Sequence, residues 1–280
     1  MITAILAGAL AIGLPQQQTD TTFAVRAGGE LEVDVLNGSV SIGTWDRPAM
    51  RVRATHRRTT VVELEHRGSN VSIDTEHRDS PEPVAFEITV PRRYNVSVEG
   101  VNLRITIADL QGSASLENVQ GPIVVRGVSG PVEIESVSGS VSIENVRGDI
   151  SVSTVNDAIR ISGGRGNIAA ETVNGSIVMR GVDAAMAEAS TVNGLVEYDG
   201  AVRDGGRYFL GTHNGRITMA IPERANARIA IETENGSVES AFSLRIAGAR
   251  EGYSFTLGSG SAVIELESYN GSIHLVRPRT

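Results

Sequence analysis

The sequence contains no cysteine and no lysine, and aromatic residues make up only 4% of it. Without cysteine the chain can form no disulfide bond, no lipoprotein anchor and no cysteine-based zinc or redox motif. Without lysine it can form neither a Schiff base nor a lysine–asparagine isopeptide crosslink. The shortage of aromatic residues, together with 31 glycines in 280 residues, favours thin β-layers filled by valine and isoleucine over a bulky globular core.

The formal net charge is −8, which argues against nucleic acid as a partner. Residues 1–14 are apolar and rich in alanine, and a proline and three glutamines follow them. This order is typical of a secretory signal peptide, although the usual positive residues are absent. We therefore expect an exported protein, located in the periplasm, on the outer surface or outside the cell. No other stretch approaches the length of a transmembrane helix, so none is expected after signal removal.

A nine-residue repeat organises residues 110–198. Each repeat has a glycine at one fixed position, which Asp157 occupies once. Aliphatic residues stand at the second position before this glycine and at the second and fourth positions after it. Alternate apolar residues indicate a strand with one buried face, and glycine permits the positive φ of a tight turn. Each repeat is therefore predicted to be one short strand and one turn. The glycines assigned to turns are Gly38, Gly112, Gly121, Gly130, Gly139, Gly148, Gly166, Gly175, Gly194, Gly215, Gly236 and Gly271.

Two kinds of repeat alternate, so the full period is about 18 residues, and a fixed period of this kind is typical of a solenoid. The segment 136–139, for example, has counterparts at 154–157 and 172–175. Each coil should therefore contain two strands. A coil of three repeats, roughly 27 residues, is the second alternative for a repeat of this kind, but it would stack unlike turns on one another. Neighbouring coils should align Val137, Val155 and Val173 in an inner column of the core.

The predicted fold is all-β: a parallel β-helix-like solenoid with irregular β caps at both ends. We expect an N-terminal β region or cap at residues 20–108 and the regular solenoid at 109–200. Continuing β repeats with a C-terminal cap or extension should occupy 201–280. Asn37 and the glycine after it lie between alternating apolar runs, which is a strong cue for an antiparallel hairpin.

Four turns, beginning at Asn37, Asn174, Asn235 and Asn270, share the sequence Asn-Gly-Ser followed by valine or isoleucine. With the Gly-Thr-Trp-Asp segment at 43–46 and the strand at 86–91 that ends in Val-Pro, they resemble a bacterial domain-of-unknown-function family of candidate adhesins with β-strand repeats. The resemblance spans about residues 22–277. It implies a parallel β-helix-like solenoid exported to the envelope or surface, and it supplies no catalytic residues.

Carboxylates on one face are the strongest sign of an active site. With two repeats in each coil, Glu117 and Glu135 stack at strand spacing, about 4.8 Å apart, and Glu133 shares their outward face. Two carboxyl groups about 5 Å apart suit a retaining glycosidase, and a weak Ca²⁺ site is another use of the pair. The next coils offer Ser153 and Glu171 rather than a cluster, so a solvated polar face is the preferred interpretation.

Other patterns give little sign of chemistry. The histidines lack His-x-x-x-His spacing, so neither a metal site nor a cofactor is expected. The opposite face should carry a charge-compensated stripe that includes Arg126, Glu144 and Arg180. Arginines in the segment 51–58 could dock an anionic surface polymer, but they are more typical of a charged guard on an edge strand.

The preferred function is that of an exported, non-enzymatic β-solenoid that serves as a cell-surface or envelope adhesion, binding or scaffold protein. Its partner would be a surface glycan or another envelope protein, held by many weak, regularly spaced contacts. The alternative is a polysaccharide-active enzyme that uses Glu117, Glu133 and Glu135. A third hypothesis, an intracellular regulatory protein, applies if residues 1–14 are not a signal peptide.

Overall fold

The computed structural model describes residues 16–77, 82–242 and 252–278, and every regular element within these ranges is a β-strand. A membrane-spanning helix is absent from these ranges. The expected signal peptide at 1–14 lies outside the described residues. The N-terminal strands are β1 (Gln16–Ala24), β2 (Glu30–Trp45), β3 (Ala49–Arg57), β4 (Thr60–Arg67), β5 (Asn70–His77), β6 (Val84–Pro91) and β7 (Asn95–Ala108).

The central part of the chain alternates long and short strands. These are β8 (Ala114–Gln120), β9 (Ile123–Arg126), β10 (Val132–Ser138), β11 (Val141–Glu144), β12 (Ile150–Asn156), β13 (Ile159–Ser162), β14 (Ile168–Asn174), β15 (Ile177–Val182), β16 (Met186–Asn193) and β17 (Val196–Gly200). The C-terminal strands are β18 (Arg207–Asn214), β19 (Ile217–Ala220), β20 (Ala227–Asn235), β21 (Val238–Ser240), β22 (Tyr253–Leu257), β23 (Ala262–Asn270) and β24 (Ile273–Val276).

The strands stack as coils of a parallel β-solenoid. A regular coil contains a long strand of seven residues, a corner and a short strand of four residues, as in β10 and β11. Val132 of β10 pairs with Ile150 of β12, and Val141 of β11 pairs with Ile159 of β13, so each partner lies two repeats further along the chain. The predicted all-β solenoid with two repeats in each coil is therefore confirmed, and the alternative coil of three repeats is wrong.

A short third side closes each coil. Ser129, Arg147 and Arg165 occupy equivalent positions there and are joined by parallel bridges. The chain reaches this side through a residue in the left-handed conformation just after the short strand. Aspartate, asparagine and glycine, which tolerate positive φ best, occupy this corner. The corner residues are Asp109, Gly127, Asn145, Gly163 and Gly181, with φ between 55° and 67°.

The core is a narrow column of aliphatic side chains between the long strands and the short strands of the coils. Val132 and Ile134 of β10 are fully buried, as are Val141 and Ile143 of β11. Each such side chain contributes about 1.5–3 kcal/mol on burial, whereas ordering one coil costs about 1.5 kcal/mol for each of its residues. One coil is therefore unstable by itself, and it depends on strand pairing and packing with the coils on either side.

Parallel coils begin earlier in the chain than residue 109. β2 supplies both strands of one coil, and it pairs in parallel with β7 along both halves. β5 and β6 form a further coil on the other side of β2. Asn37 and Gly38 lie at the corner within β2, so the predicted antiparallel hairpin is wrong, because the strand on either side of the corner pairs with neighbouring coils. Antiparallel strands cover this end: β4 on β5, β3 on β6 and β1 on β3.

The last coil in the sequence is not the last coil in space. β23 and β24 pair with β18 and β19 on one side and with β20 and β21 on the other. β22 adds an antiparallel strand to β20. The antiparallel strands at the two ends are the caps of the predicted fold. Residues 78–81, within the predicted N-terminal β region, and residues 243–251, within the predicted C-terminal cap or extension, lie outside the described residues.

Two different constraints favour glycine at the corner between the long and short strands, one on the backbone conformation and one on space. At Gly139, φ is 138°, a value that residues with side chains rarely adopt. At Gly175 the difficulty is space, because a Cβ atom would collide with the carbonyl oxygen of Asp157 in the previous coil. Asp157 itself fills a glycine slot with φ of 117°, and its carboxylate accepts a hydrogen bond from the Gly139 amide at 2.8 Å. The backbones of neighbouring coils therefore leave no space for a Cβ atom at Gly175.

Candidate functional site

The outward side of the long strands forms one continuous surface, which we call the long-strand face. In β10, Glu133, Glu135 and Val137 are exposed, while Val132 and Ile134 between them are buried. Because neighbouring long strands are parallel and in register, each outward position becomes a column along the solenoid axis. Three columns, one for each of these exposed positions, therefore cover the face.

The third column is apolar. Val137, Val155 and Val173 are 43%, 40% and 41% exposed, so the prediction that they form an inner column of the core is wrong. They do stack on one another, but the alternation along each strand places them in solvent and places Ser136 and Thr154 inside. We call this column the valine ladder. In spatial order its members are Leu36, Val101, Val119, Val137, Val155, Val173 and Val192.

The second column is acidic over five consecutive strands. We call it the carboxylate column, and its members in spatial order are Asp74, Asp34, Glu99, Glu117 and Glu135. Like charges directly opposite on neighbouring strands destabilise a sheet. Burial, with the neighbouring Asp74 carboxylate, raises the pKa of Asp34. Within the described ranges, no ion pair joins any member of the column to a basic residue.

The short strands, in contrast, carry balanced charges on their outer side. Arg126 on β9 donates to Glu144 on β11 at 3.0 Å, and Arg180 on β15 donates to Glu197 on β17 at 3.0 Å. The predicted charge-compensated stripe is thus present on this side. Unbalanced charge is therefore a property of the long-strand face and not a general property of the solenoid surface.

The three glutamates predicted as candidate catalytic residues all lie on the long-strand face. Glu117 and Glu135 are register partners on β8 and β10, and Glu133 lies two residues before Glu135. The neighbours of Glu133 on the adjacent strands are Ser115 and Ser151. The acids therefore extend along a column. Glu117 and Glu135 line an open cavity of about 480 Å³ with Asp34 and Glu99, and Glu133 is not among the residues that line it. In the part of the chain that the structure describes, no group of three or more acidic or histidine residues is placed to hold a metal ion.

An asparagine ladder borders the valine ladder at the corner that follows each long strand. Each side-chain amide donates to the side-chain oxygen of the next asparagine, as Asn193 does to Asn174 and Asn214 to Asn193, both at 2.9 Å. On the inner side of the corner, the Thr191 hydroxyl donates to the Gly175 carbonyl at 3.0 Å. These bonds fix the edge of the long-strand face. The ladder consists of Asn156, Asn174, Asn193, Asn214, Asn270 and Asn235.

The valine ladder ends at a pocket in the C-terminal coils, which we call the aromatic pocket. His213 and Tyr269 take the ladder position on β18 and β23, and their rings stack with centroids 4.7 Å apart and an interplanar angle of 3°. They line a cavity of about 940 Å³ together with Phe209. The acidic residues of its wall are Glu232, Glu234 and Glu267. The pocket was not predicted from the sequence, although histidine and tyrosine replace the valine of the Thr-Val-Asn-Gly corner pattern there.

The arginines of β3 are paired with acids. Arg51 donates to both carboxylate oxygens of Asp20, Arg53 forms an ion pair with Glu87 at 2.8 Å, and Arg57 is likewise paired. β3 itself has a strand on each side, β1 and β6. It is therefore not an edge strand, and the predicted edge-strand guard is wrong. The balanced charge also removes the basis for docking an anionic polymer on β3.

Parallel coils with open faces and antiparallel strands at both ends define a β-solenoid repeat protein. The chain belongs to the Toastrack DUF4097 family, whose model matches residues 7–276. The family resemblance of the Asn-Gly-Ser turns is thereby confirmed. The comparison with curated proteins returns no match.

Three of the solved structures that are similar to this chain come from the bacteria Clostridium sporogenes, Bacteroides fragilis and Parabacteroides distasonis. A candidate cell adhesion protein from Clostridium sporogenes ATCC 15579 is 11% identical with a TM-score of 0.25, and the match covers 93% of this chain and 100% of that one. A candidate adhesin from Bacteroides fragilis NCTC 9343 is 11% identical with a TM-score of 0.47, over 93% and 97% of the two chains. A candidate adhesin from Parabacteroides distasonis ATCC 8503 is 10% identical with a TM-score of 0.38, over the same shares.

Proposed function

We propose that the protein is an exported, non-enzymatic adhesion or scaffold protein that binds its partner through the long-strand face. The observation that carries this proposal is the position of the valine ladder directly beside the carboxylate column. Val137 and Glu135 are two residues apart on β10, and Val119 and Glu117 repeat the arrangement on β8. Exposed apolar groups in a row beside unpaired acids are unfavourable for the free protein, and they support a role in binding.

The solenoid suits multivalent binding. Its coils repeat at a spacing of about 4.8 Å, so a partner with a matching period would meet a carboxylate beside an aliphatic side chain at each of four successive long strands, β2, β7, β8 and β10. Each contact would be weak, but the contacts act together once the first is made. Strand pairing and the asparagine ladder hold the spacing fixed, so little conformational entropy would be lost on binding.

Of the two partners that the sequence leaves open, another envelope protein suits this face better than a surface glycan. Aliphatic side chains of a protein would bury the valine ladder, and its arginine or lysine side chains would pair with the carboxylate column. An acidic glycan would be repelled by Glu99, Glu117 and Glu135. A second copy of this chain would present the same acids, so self-association through this face would bring like charges together.

The alternative function, a polysaccharide-active enzyme, is favoured only by the stacking of Glu117 on Glu135. The enzyme hypothesis requires a glycan-cleaving activity of the purified protein that is lost in Glu135→Gln and in Glu133→Gln. The binding hypothesis requires that these variants leave the protein folded and that no such activity exists. Incubation with a panel of bacterial polysaccharides, followed by analysis of the fragment sizes, separates the two.

A photo-crosslinking amino acid at Val155 tests the proposed binding face in the producing cell. Arg160 on β13 is the matched control, because it is exposed on the short-strand side. The proposal predicts a crosslinked protein partner from position 155 and none from position 160. Equal crosslinking from both positions contradicts it, and binding on a glycan array in place of a protein crosslink would reassign the partner. Export is tested separately by sequencing the N-terminus of the mature protein outside the cytoplasm.

A further inference from the structure

The aromatic pocket differs in shape and chemistry from the rest of the long-strand face. Tyr269 is 50% exposed and stacks on His213, where the preceding coils carry valines. Gly211 stands on β18 at the position that Glu135 takes on β10. The Phe209 ring lies over Gly211, and both residues line the cavity of about 940 Å³.

The wall of the pocket is acidic. Glu232 and Glu267 are register partners on β20 and β23. Burial, with the neighbouring Glu232 and Glu265 carboxylates, raises the pKa of Glu267. In the part of the chain that the structure describes, the residues that line the cavity include no arginine. A bound cation would relieve the repulsion between these carboxylates.

The ring of Tyr269 is placed to contact such a cation. One ring face is covered by His213, and Glu234 is the register neighbour on the other side, on β20. A cation over the free ring face would lie between an aromatic ring and a carboxylate, where cation–π attraction and a charge-assisted hydrogen bond act together.

We propose that the aromatic pocket binds a linear organic polyamine. The three wall carboxylates match the charge of a trivalent polyamine, and the aromatic rings match the methylene links between its ammonium groups. A single metal ion would use the carboxylates but not the rings, and a neutral sugar would leave the repulsion between the register partners Glu232 and Glu267 in place. The pocket and the valine ladder are separate sites, so this proposal stands or fails independently of the proposed function.

Calorimetric titration of the full chain with spermidine tests the proposal. At about 0.1 M salt, where exposed charges are screened over roughly 10 Å, we expect one spermidine per chain and no binding of 1,8-octanediol, its neutral analogue. Glu267→Gln and Glu232→Gln should each weaken binding about tenfold, the usual effect of removing a charged hydrogen-bond partner. Tyr269→Leu should weaken it about threefold through loss of the cation–π contact.

Glu117→Gln and Glu135→Gln are the matched controls, because they remove the same charge from the same face several coils away. These variants should bind spermidine as the wild type does. The proposal is overturned if they weaken binding as much as Glu267→Gln does, since spermidine would then bind acidic surface in general. It is also overturned if the diol or a neutral oligosaccharide binds as well as spermidine. Should Tyr269→Leu fail to fold, Glu267→Gln decides the question, because it preserves the side-chain shape.

Discussion

Val137 and Val155 lie side by side on β10 and β12, next to the register pair Ser136 and Thr154, and both valines are in solvent while the hydroxyl residues are buried. One strand position thus separates an inner polar column from an outer apolar column. The outer column leaves apolar surface in water in each coil from Leu36 to Val192, and the carboxylate column beside its first members adds repulsion. A partner that covers both columns would remove both costs.

Two substitutions on β12 test whether the valine ladder is exposed to solvent or packed in the core. Val155→Thr should change the free energy of unfolding by no more than about 0.5 kcal/mol, because the side chain is exposed. Val152→Thr should destabilise the protein by about 1–3 kcal/mol, because it buries a hydroxyl in the core. Chemical denaturation of both variants measures the difference. Equal destabilisation would show that Val155 is packed inside.

The close approach of coils at the glycine corner predicts that Gly139 is harder to replace than Gly181. Gly181 has φ of 59° with open space around its Cβ position, so Gly181→Ala should cost only the left-handed strain of about 1–2 kcal/mol. Gly139→Ala adds a collision with the backbone carbonyl of Gly121 and should cost about 1–3 kcal/mol more. Thermal and urea unfolding of the two variants would contradict this account if their stabilities were equal.

The carboxylate column predicts a pH-dependent stability of a particular sign. The folded-state pKa of Asp34 is raised by burial and by Asp74, so the stability associated with Asp34 is present at low pH and is lost as the pH rises through that pKa. Asp34→Asn should therefore raise Tm at pH 7 and leave it nearly unchanged at pH 3.

Asp183 is a control whose pKa is shifted in the opposite direction. Hydrogen bonds from Arg203 at 2.6 and 2.7 Å lower the pKa of Asp183, so its contribution is present at neutral pH and is lost as the pH falls. Asp183→Asn should lower Tm at pH 7 and have little effect at pH 3. A decrease of Tm at pH 7 in Asp34→Asn as well would contradict the assigned repulsion between Asp34 and Asp74.

The coil length and register were readable from the sequence because the corner pattern repeats. Gly139 and its equivalents recur with the period of the coil, and this period also placed Glu117 opposite Glu135. The side of Val137 was predicted incorrectly because every aliphatic residue was assigned to the core. Counting alternate positions from Val132 and Ile134 would have placed Val137 outside.

The order of the terminal coils could not be read from the sequence. Alternation along β20 and β23 shows which side chains are buried, but it does not show which coil stacks on β18. The chain runs through β20 and β21 first and then returns to place β23 and β24 against β18 and β19. The aromatic pocket depends on this order, because it brings Tyr269 next to His213.

The most direct test of the binding face is the affinity of the purified protein for the envelope fraction of the producing cell. Val137→Thr, Val155→Thr and Val173→Thr combined remove the centre of the valine ladder, and Arg160→Ala on the short-strand side is the control. We predict a loss of affinity of at least about tenfold for the triple variant, with an unchanged Tm and normal binding by the control. Wild-type affinity in the triple variant, or an equal loss in Arg160→Ala, would contradict the account.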